Sequence, residues 1–265
     1  MQIADFYGNI EFDKMNEITK KIKVELWKNF CTMGHPAEWD GLNYGGGKIS
    51  QRFWEYFKTI ELLELNQDSV LLDIGGGSPK TGAGFFAELL CQHIKKIIIM
   101  DPNINDIIEK KPHNVEFIKE CADAGNLKNV LISDPRITHI VSVSVLEHME
   151  PLVRGGIIKA INDYFKGDVF AATFEYHPKR SFFDHQLTSK TASDLFKEFT
   201  NFYLTELNSS PVWSDNAFIN KKTEAGSYRF YRILPRRIQN MVSNLLDAEV
   251  SGWYPVSVKF ERIIS

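Results

Sequence analysis

Three glycines and two acids stand where a buried strand would hand a bound molecule to a turn. Val70-Leu71-Leu72-Asp73-Ile74 is an apolar run broken by one acid, and Gly75-Gly76-Gly77 follow at once. Glycine has no Cβ, so a turn built from it brings backbone N–H groups close to a ligand. A second apolar run, Ile97-Ile98-Ile99-Met100, ends on Asp101. A carboxylate at that strand end can accept both hydroxyls of a ribose. Asp101 lies 24 residues after Gly77, near the roughly 20-residue offset such an acid shows. The spacing points to recognition of a nucleotide-containing cofactor. A tight strand-to-helix turn without ligand is the alternative.

Two phosphate-binding patterns are absent. A P-loop needs Gly-x-x-x-x-Gly-Lys-[Ser/Thr], but Pro79 stands before Lys80-Thr81 where its second glycine belongs. A dinucleotide fingerprint needs Gly-x-Gly-x-x-Gly. Counted from Gly75, its last position is Lys80.

The elements that must position these residues alternate. Apolar runs predict strands near Val70–Ile74, Lys96–Met100, Val115–Lys119, Ile137–Val143, Asp168–Phe174, Phe202–Leu207 and Val256–Ile263. Helical periodicity fits Gly84–His93, Asn103–Lys110, Val145–Glu150, Pro151–Tyr164 and Ala192–Thr200. Such alternation implies a parallel sheet covered on both faces, an α/β three-layer architecture. Residues 1–66 read as a helical cap belonging to the same domain. Phe6, Ile10, Met15, Ile18, Ile22 and Leu26 form one apolar series, and Trp54, Phe57, Ile60, Leu62 and Leu65 another. Between them lies a loop with Gly34, His35, Pro36 and Gly45-Gly46-Gly47. Residues 67–265 form the core, with an insertion at about 208–250 before a last antiparallel strand. That insertion carries Trp213, Phe218, Tyr228, Phe230, Tyr231 and the arginines Arg229, Arg232, Arg236 and Arg237.

Composition narrows the class. The chain has 265 residues, 43% hydrophobic and 25% charged, which suits a globular protein with a full core. A net charge of −3 gives no general electrostatic reason to expect nucleic acid. Cys31, Cys91 and Cys121 lack metal-ligand spacing and fit a reducing compartment. Neither a signal peptide nor an apolar run of membrane-spanning length is visible. The expectation is a cytoplasmic protein without membrane contact. Its richness in Ile, Lys and Asn hints at an AT-rich bacterial genome.

Asp73-x-Gly75-x-Gly77 resembles the acid-x-Gly-x-Gly opening of the class I S-adenosylmethionine (SAM)-dependent methyltransferases. The resemblance continues through Asp101, through Cys121-Ala122-Asp123-Ala124 after the third strand, and through Ser142-Val143-Ser144-Val145-Leu146-Glu147-His148-Met149 after the fourth. It covers about Ser69 to Phe174. The departure is Ser78-Pro79, where a third small residue is usual. The resemblance implies a Rossmann-like sheet of seven strands, mostly parallel with the last antiparallel, and SAM as cofactor with S-adenosylhomocysteine (SAH) as product. The absent phosphate motifs agree, since SAM has no phosphates. The implied cofactor shell is Asp73, Gly75, Gly76, Gly77, Asp101, Pro102, Ala122, Asp123 and Ser142. Tyr44 and Lys48, beside the glycine run of the N-terminal loop, are candidates for the SAM carboxylate, with a plain connector as the alternative.

Methyl transfer from a sulfonium needs alignment more than acid–base help. A base is required only if the acceptor must lose a proton early. His148 and His177 are the candidates for that role, and His185 is a possible neighbour of His177. Each has a structural or solvated alternative. No metal template fits Glu175, His177, Asp184 and His185, so no metal is expected. The expected acceptor is a small metabolite, methylated on oxygen or nitrogen. The arginines of the insertion would suit a phosphorylated or carboxylated group. Methyltransferases of this size often tailor surface sugars or secondary metabolites. No Asn-Pro-Pro-Tyr motif follows the fourth strand, which argues against nucleic acid as acceptor. An NAD-dependent oxidoreductase and a non-catalytic SAM-binding subunit are the competing readings.

Overall fold

The computed structural model describes residues 14–32, 51–77, 89–104, 112–176, 187–209 and 254–263. Within these, the strands are β1 (Val70–Ile74), β2 (Lys96–Met100), β3 (Val115–Ile118), β4 (His139–Val143), β5 (Val169–Tyr176), β6 (Phe202–Ser209) and β7 (Tyr254–Arg262). The helices are α1 (Glu17–Thr32), α2 (Gln51–Leu63), α3 (Ala124–Ser133), α4 (Pro151–Tyr164) and α5 (Ser189–Lys197). The strands make one sheet in the order β3-β2-β1-β4-β5-β7-β6. β1 to β5 pair in parallel. β7 runs antiparallel to both β5 and β6, as expected for the last strand.

β1 and β4 are buried along their whole length, which is why they read as mainly apolar runs, broken only by Asp73 in β1 and by His139 and Ser142 in β4. Alternate residues serve opposite faces. Leu72, Ile74, Ile98, Met100 and Phe170 pack in one cluster with residues of α3, α4 and α5. Leu71, Ile97, Ile99, Val141 and Ala171 pack in the other with Ile22 and Leu26 of α1 and Phe57 and Ile60 of α2. Each such Leu, Ile or Phe contributes about 1.5–3 kcal/mol by leaving water. An aromatic stack fastens the β5–β7 end of the sheet. The Phe199 ring lies 4.3 Å from that of Phe260 and 5.0 Å from that of Phe170.

The strand order reverses between β1 and β4, and their carboxyl ends open side by side. In such sheets that crevice is where ligands bind. The glycine turn sits there.

The structure adds one element that the sequence pattern did not signal. α3 occupies 124–133, where no helix was expected. Leu127, Val130 and Leu131 line its buried face, but Gly125, Asn126 and Asn129 dilute the helical signal. The helix expected over Val145–Glu150 is instead a single 3-10 turn, Leu146–His148. Pro151 then starts α4 at its first turn, where a missing N–H costs nothing. α5 begins at Ser189, earlier than expected, because Thr188 and Thr191 form a capping box. Of the helix expected over Gly84–His93, Leu89 and Leu90 are helical. Its first part and most of Asn103–Lys110 lie outside the described residues, as does the insertion expected at about 208–250 apart from Asn208 and Ser209, which belong to β6.

Candidate functional site

The turn after β1 is glycine for reasons of conformation and space. Gly75 has φ +77°, a left-handed conformation that other residues rarely adopt. Its N–H donates to the Met100 carbonyl at 2.9 Å, tying β1 to the end of β2. A Cβ on Gly75 would lie 2.5 Å from Val145 Cγ2, so the loop after β4 closes directly on the turn. A Cβ on Gly76 would lie 2.0 Å from Asp73 Oδ2. The Asp73 carboxylate is folded back beneath the turn that follows it.

The two acids meet there in different surroundings. The Asp101 carboxylate accepts the Gly77 N–H at 3.2 Å on Oδ2 and the Asn103 N–H at 2.7 Å on Oδ1. Both oxygens keep lone pairs for further donors. Asp101 is thus oriented at the lip of the turn and still able to accept two hydroxyls. Asp73 is 2% exposed. Burial, and next the charge of Asp101, push its carboxyl up to about 7. Among the described residues no cation offsets this cost, and perturbed carboxyls of this kind mark functional sites.

Other expected cofactor residues are placed as follows. Pro102 is exposed beside Asp101. Ala122 is buried at the carboxyl end of β3. Asp123 caps α3, its Oδ1 accepting the Asn126 N–H at 2.8 Å. Its local role as a helix cap therefore competes with the ligand role expected of it. Ser142 is fully buried on β4, and among the described residues its hydroxyl has no partner. His148 is exposed on the 3-10 turn, with its N–H donating to the Val145 carbonyl at 3.0 Å. Tyr44, Lys48 and His177 lie outside the described residues, as do His185 and the insertion's arginines.

The structure brings in a group that the sequence did not single out. Ser144, just past β4, has φ +51°. Its N–H donates to Thr173 Oγ1 at 3.0 Å, and its hydroxyl donates to Glu55 Oε1 of α2 at 2.6 Å. An acid between Trp54 and Phe57, on the buried side of a predicted helix, was the only available signal.

Beyond the end of β5 lies a cavity of about 450 Å³ lined by Phe174, Tyr176, Leu187, Phe196, Leu207 and Val256. Its wall is almost wholly apolar. Among the described residues no group of His, Cys, Asp and Glu could hold a metal ion. Nor is any described helix long and apolar enough to cross a membrane.

No protein-family model matches the sequence, and no curated protein is similar to it in sequence. Solved structures do match in fold. The [4+2]-cyclase SpnF superposes with a TM-score of 0.56 at 14% identity, over 92% of this chain and 94% of that one. Geranyl diphosphate C-methyltransferase from Streptomyces coelicolor A3(2), crystallised with Mg2+, geranyl diphosphate and SAH, gives a TM-score of 0.50 at 10% identity, over 94% and 98%. The chain shares with these structures a Rossmann-like fold, a seven-stranded sheet with helices on both faces.

Proposed function

We propose that this chain is a SAM-dependent methyltransferase acting on an oxygen or nitrogen of a small molecule. The observation that carries the reading is the pairing of the glycine cradle with Asp101 at the strand-order reversal. There, backbone N–H groups and an oriented carboxylate meet. These residues fit SAM. Asp101 would accept the ribose hydroxyls, and the turn Gly75-Gly76-Gly77 would admit the amino-acid arm with Asp73 beneath it. Pro102, Ala122 and Asp123 would flank the adenine, and Ser142 would offer its orphaned hydroxyl. Tyr44 and Lys48 would reach the carboxylate from the N-terminal cap, residues 1–66. When bound, SAM supplies an already activated methyl group. The chain's part is to hold the acceptor in line and exclude water. His148, exposed on the turn at the crevice, would take a proton from an acceptor hydroxyl or ammonium, and His177 is the second candidate.

The acceptor would be phosphorylated, carboxylated or sugar-like, as in tailoring of surface polysaccharides or secondary metabolites, and the arginines at 229–237 support that class. Cys91 and Cys121 form no disulfide, which supports a cytoplasmic setting.

Titration calorimetry of the purified chain with SAM, SAH and NAD tests the cofactor. Binding of both adenosyl ligands but not NAD is expected; NAD binding alone would overturn the reading. The structural neighbour SpnF is named as a cyclase, so transfer of labelled methyl to an acceptor must be measured as well. SAM binding without any transfer would favour a non-catalytic or non-methylating role.

A further inference from the structure

We infer that Glu55 is a positioning residue that sets the cofactor crevice from a distance, through the left-handed backbone of Ser144. This rests on the reading of the glycine turn as the SAM site.

Glu55 sits on α2 and is 1% exposed. A carboxylate is costly to bury unless strong donors meet it. The Ser144 hydroxyl is such a donor, and 2.6 Å is the length of a charge-assisted O–H···O bond. The two residues are 89 positions apart. Ser144 carries a Cβ in a conformation suited to glycine. For such a residue that conformation costs roughly five- to thirty-fold in population, so surrounding contacts must impose it. Three contacts do so. The N–H is held by Thr173 Oγ1 at 3.0 Å and by the Thr173 carbonyl at 3.3 Å, and the side chain is held by Glu55.

The direction of the chain past Ser144 then decides the crevice. Val145 follows at once and covers Gly75 with both methyls, 2.5 and 2.6 Å from where a Cβ would stand. The 3-10 turn Leu146–His148 comes next and presents His148. A change at Ser144 would displace the wall over the glycine turn and the candidate base together. The Ser144–Glu55 hydrogen bond thereby ties α2, and with it the N-terminal segment, to the cofactor site.

The test substitutes a residue that adopts the left-handed backbone freely. Ser144→Gly and Ser144→Ala both remove the hydroxyl and leave Glu55 in place. They differ only in the backbone. SAH affinity by calorimetry and hydrogen exchange of amides 145–148 are measured for both. Ser144→Ala is expected to bind SAH roughly ten-fold more weakly than Ser144→Gly and to exchange faster. In a Glu55→Ala background, Ser144→Gly is expected to restore both readouts and Ser144→Ala to restore neither. Equal behaviour of glycine and alanine at 144 in both readouts would overturn the inference, because a purely structural Glu55 has no reason to be rescued by glycine. Exchange is read without ligand. Failure of the wild-type chain to bind SAH would therefore sink the SAM reading, while the exchange comparison would still decide whether Glu55 sets the turn.

Discussion

Asp73 and Asp134 are the same residue type at opposite edges of one sheet. At the carboxyl edge Asp73 is buried beneath the glycine turn beside Asp101, and its carboxyl is pushed up to about 7, by burial first and by the neighbouring acid second. At the amino edge Asp134 accepts from Arg136 Nε at 2.7 Å and from Lys96 Nζ at 3.0 Å. The Arg136 bond first, and then Lys96, hold it well below the usual carboxylate range against the opposing effect of burial. One acid is made costly by the fold and the other is made comfortable. The contrast separates the edge that keeps the sheet together from the edge where the proposed cofactor would bind. Natural sites give up stability in this way for function.

Removing the cost should therefore stabilise the protein while impairing it. Asp73→Asn is expected to raise apo stability at pH 8, with an upper bound of about 4 kcal/mol from the difference between 3.8 and about 7. The sign follows from linkage. A carboxyl whose folded pKa is raised favours folding in its protonated form, so its contribution is full below pH 3.8 and is lost as pH rises through about 7. The gain in the variant should shrink on acidification and vanish near pH 4. His139 acts in the opposite sense. Burial pushes it down to about 4 from 6.5, so its contribution is lost as pH falls through that window. The two offset each other in the wild type, and Asp73→Asn should expose the acid lability of His139. Denaturant melts at pH 5 and 8 measure this; equal stability of variant and wild type at pH 8 would refute the strained-acid reading.

A smaller loss is expected at His148. His148→Ala should lower turnover by about a hundredfold, the lower range for a general base, with SAM affinity kept. Unchanged turnover would remove His148 from the chemistry. Asp101→Ala should weaken SAH binding by about 2 kcal/mol, roughly thirty-fold, through loss of charge-assisted hydrogen bonds to the ribose. Calorimetry reads it directly, and an unchanged affinity would move the ribose elsewhere.

All seven strands were expected close to where they lie, because each carries a short run rich in apolar and β-branched residues, most nearly continuous in β2 and β5. The glycine turn and Asp101 were legible because their chemistry is local to two strand ends. The coupling of Ser144 to Glu55 was not, since a hydrogen bond across 89 residues leaves no periodic trace. α3 was hidden by its own residues, as Gly125, Asn126 and Asn129 favour turns as much as helix. Asp123 shows how local and ligand readings compete for one side chain. An acid after the third strand suggests a ligand contact, yet the same position is also an ideal helix cap.

The comparison of edges sharpens most at Asp134, where the expected effect is smallest. Arg136 is largely exposed, so solvent and salt weaken its attraction. Asp134→Asn should destabilise by only about 1 kcal/mol after that screening. The sign is opposite to that of Asp73. A carboxyl held low contributes above its ordinary 3.8, and the contribution disappears as pH falls below it. Variant and wild type should therefore differ at pH 7 and converge in strong acid, and the difference should shrink with added salt. SAH affinity should not change, because Asp134 lies at the other end of the strands from the glycine turn. A loss of SAH binding in Asp134→Asn, without loss of fold, would show that the two edges are not independent and would undo the division of labour argued from them.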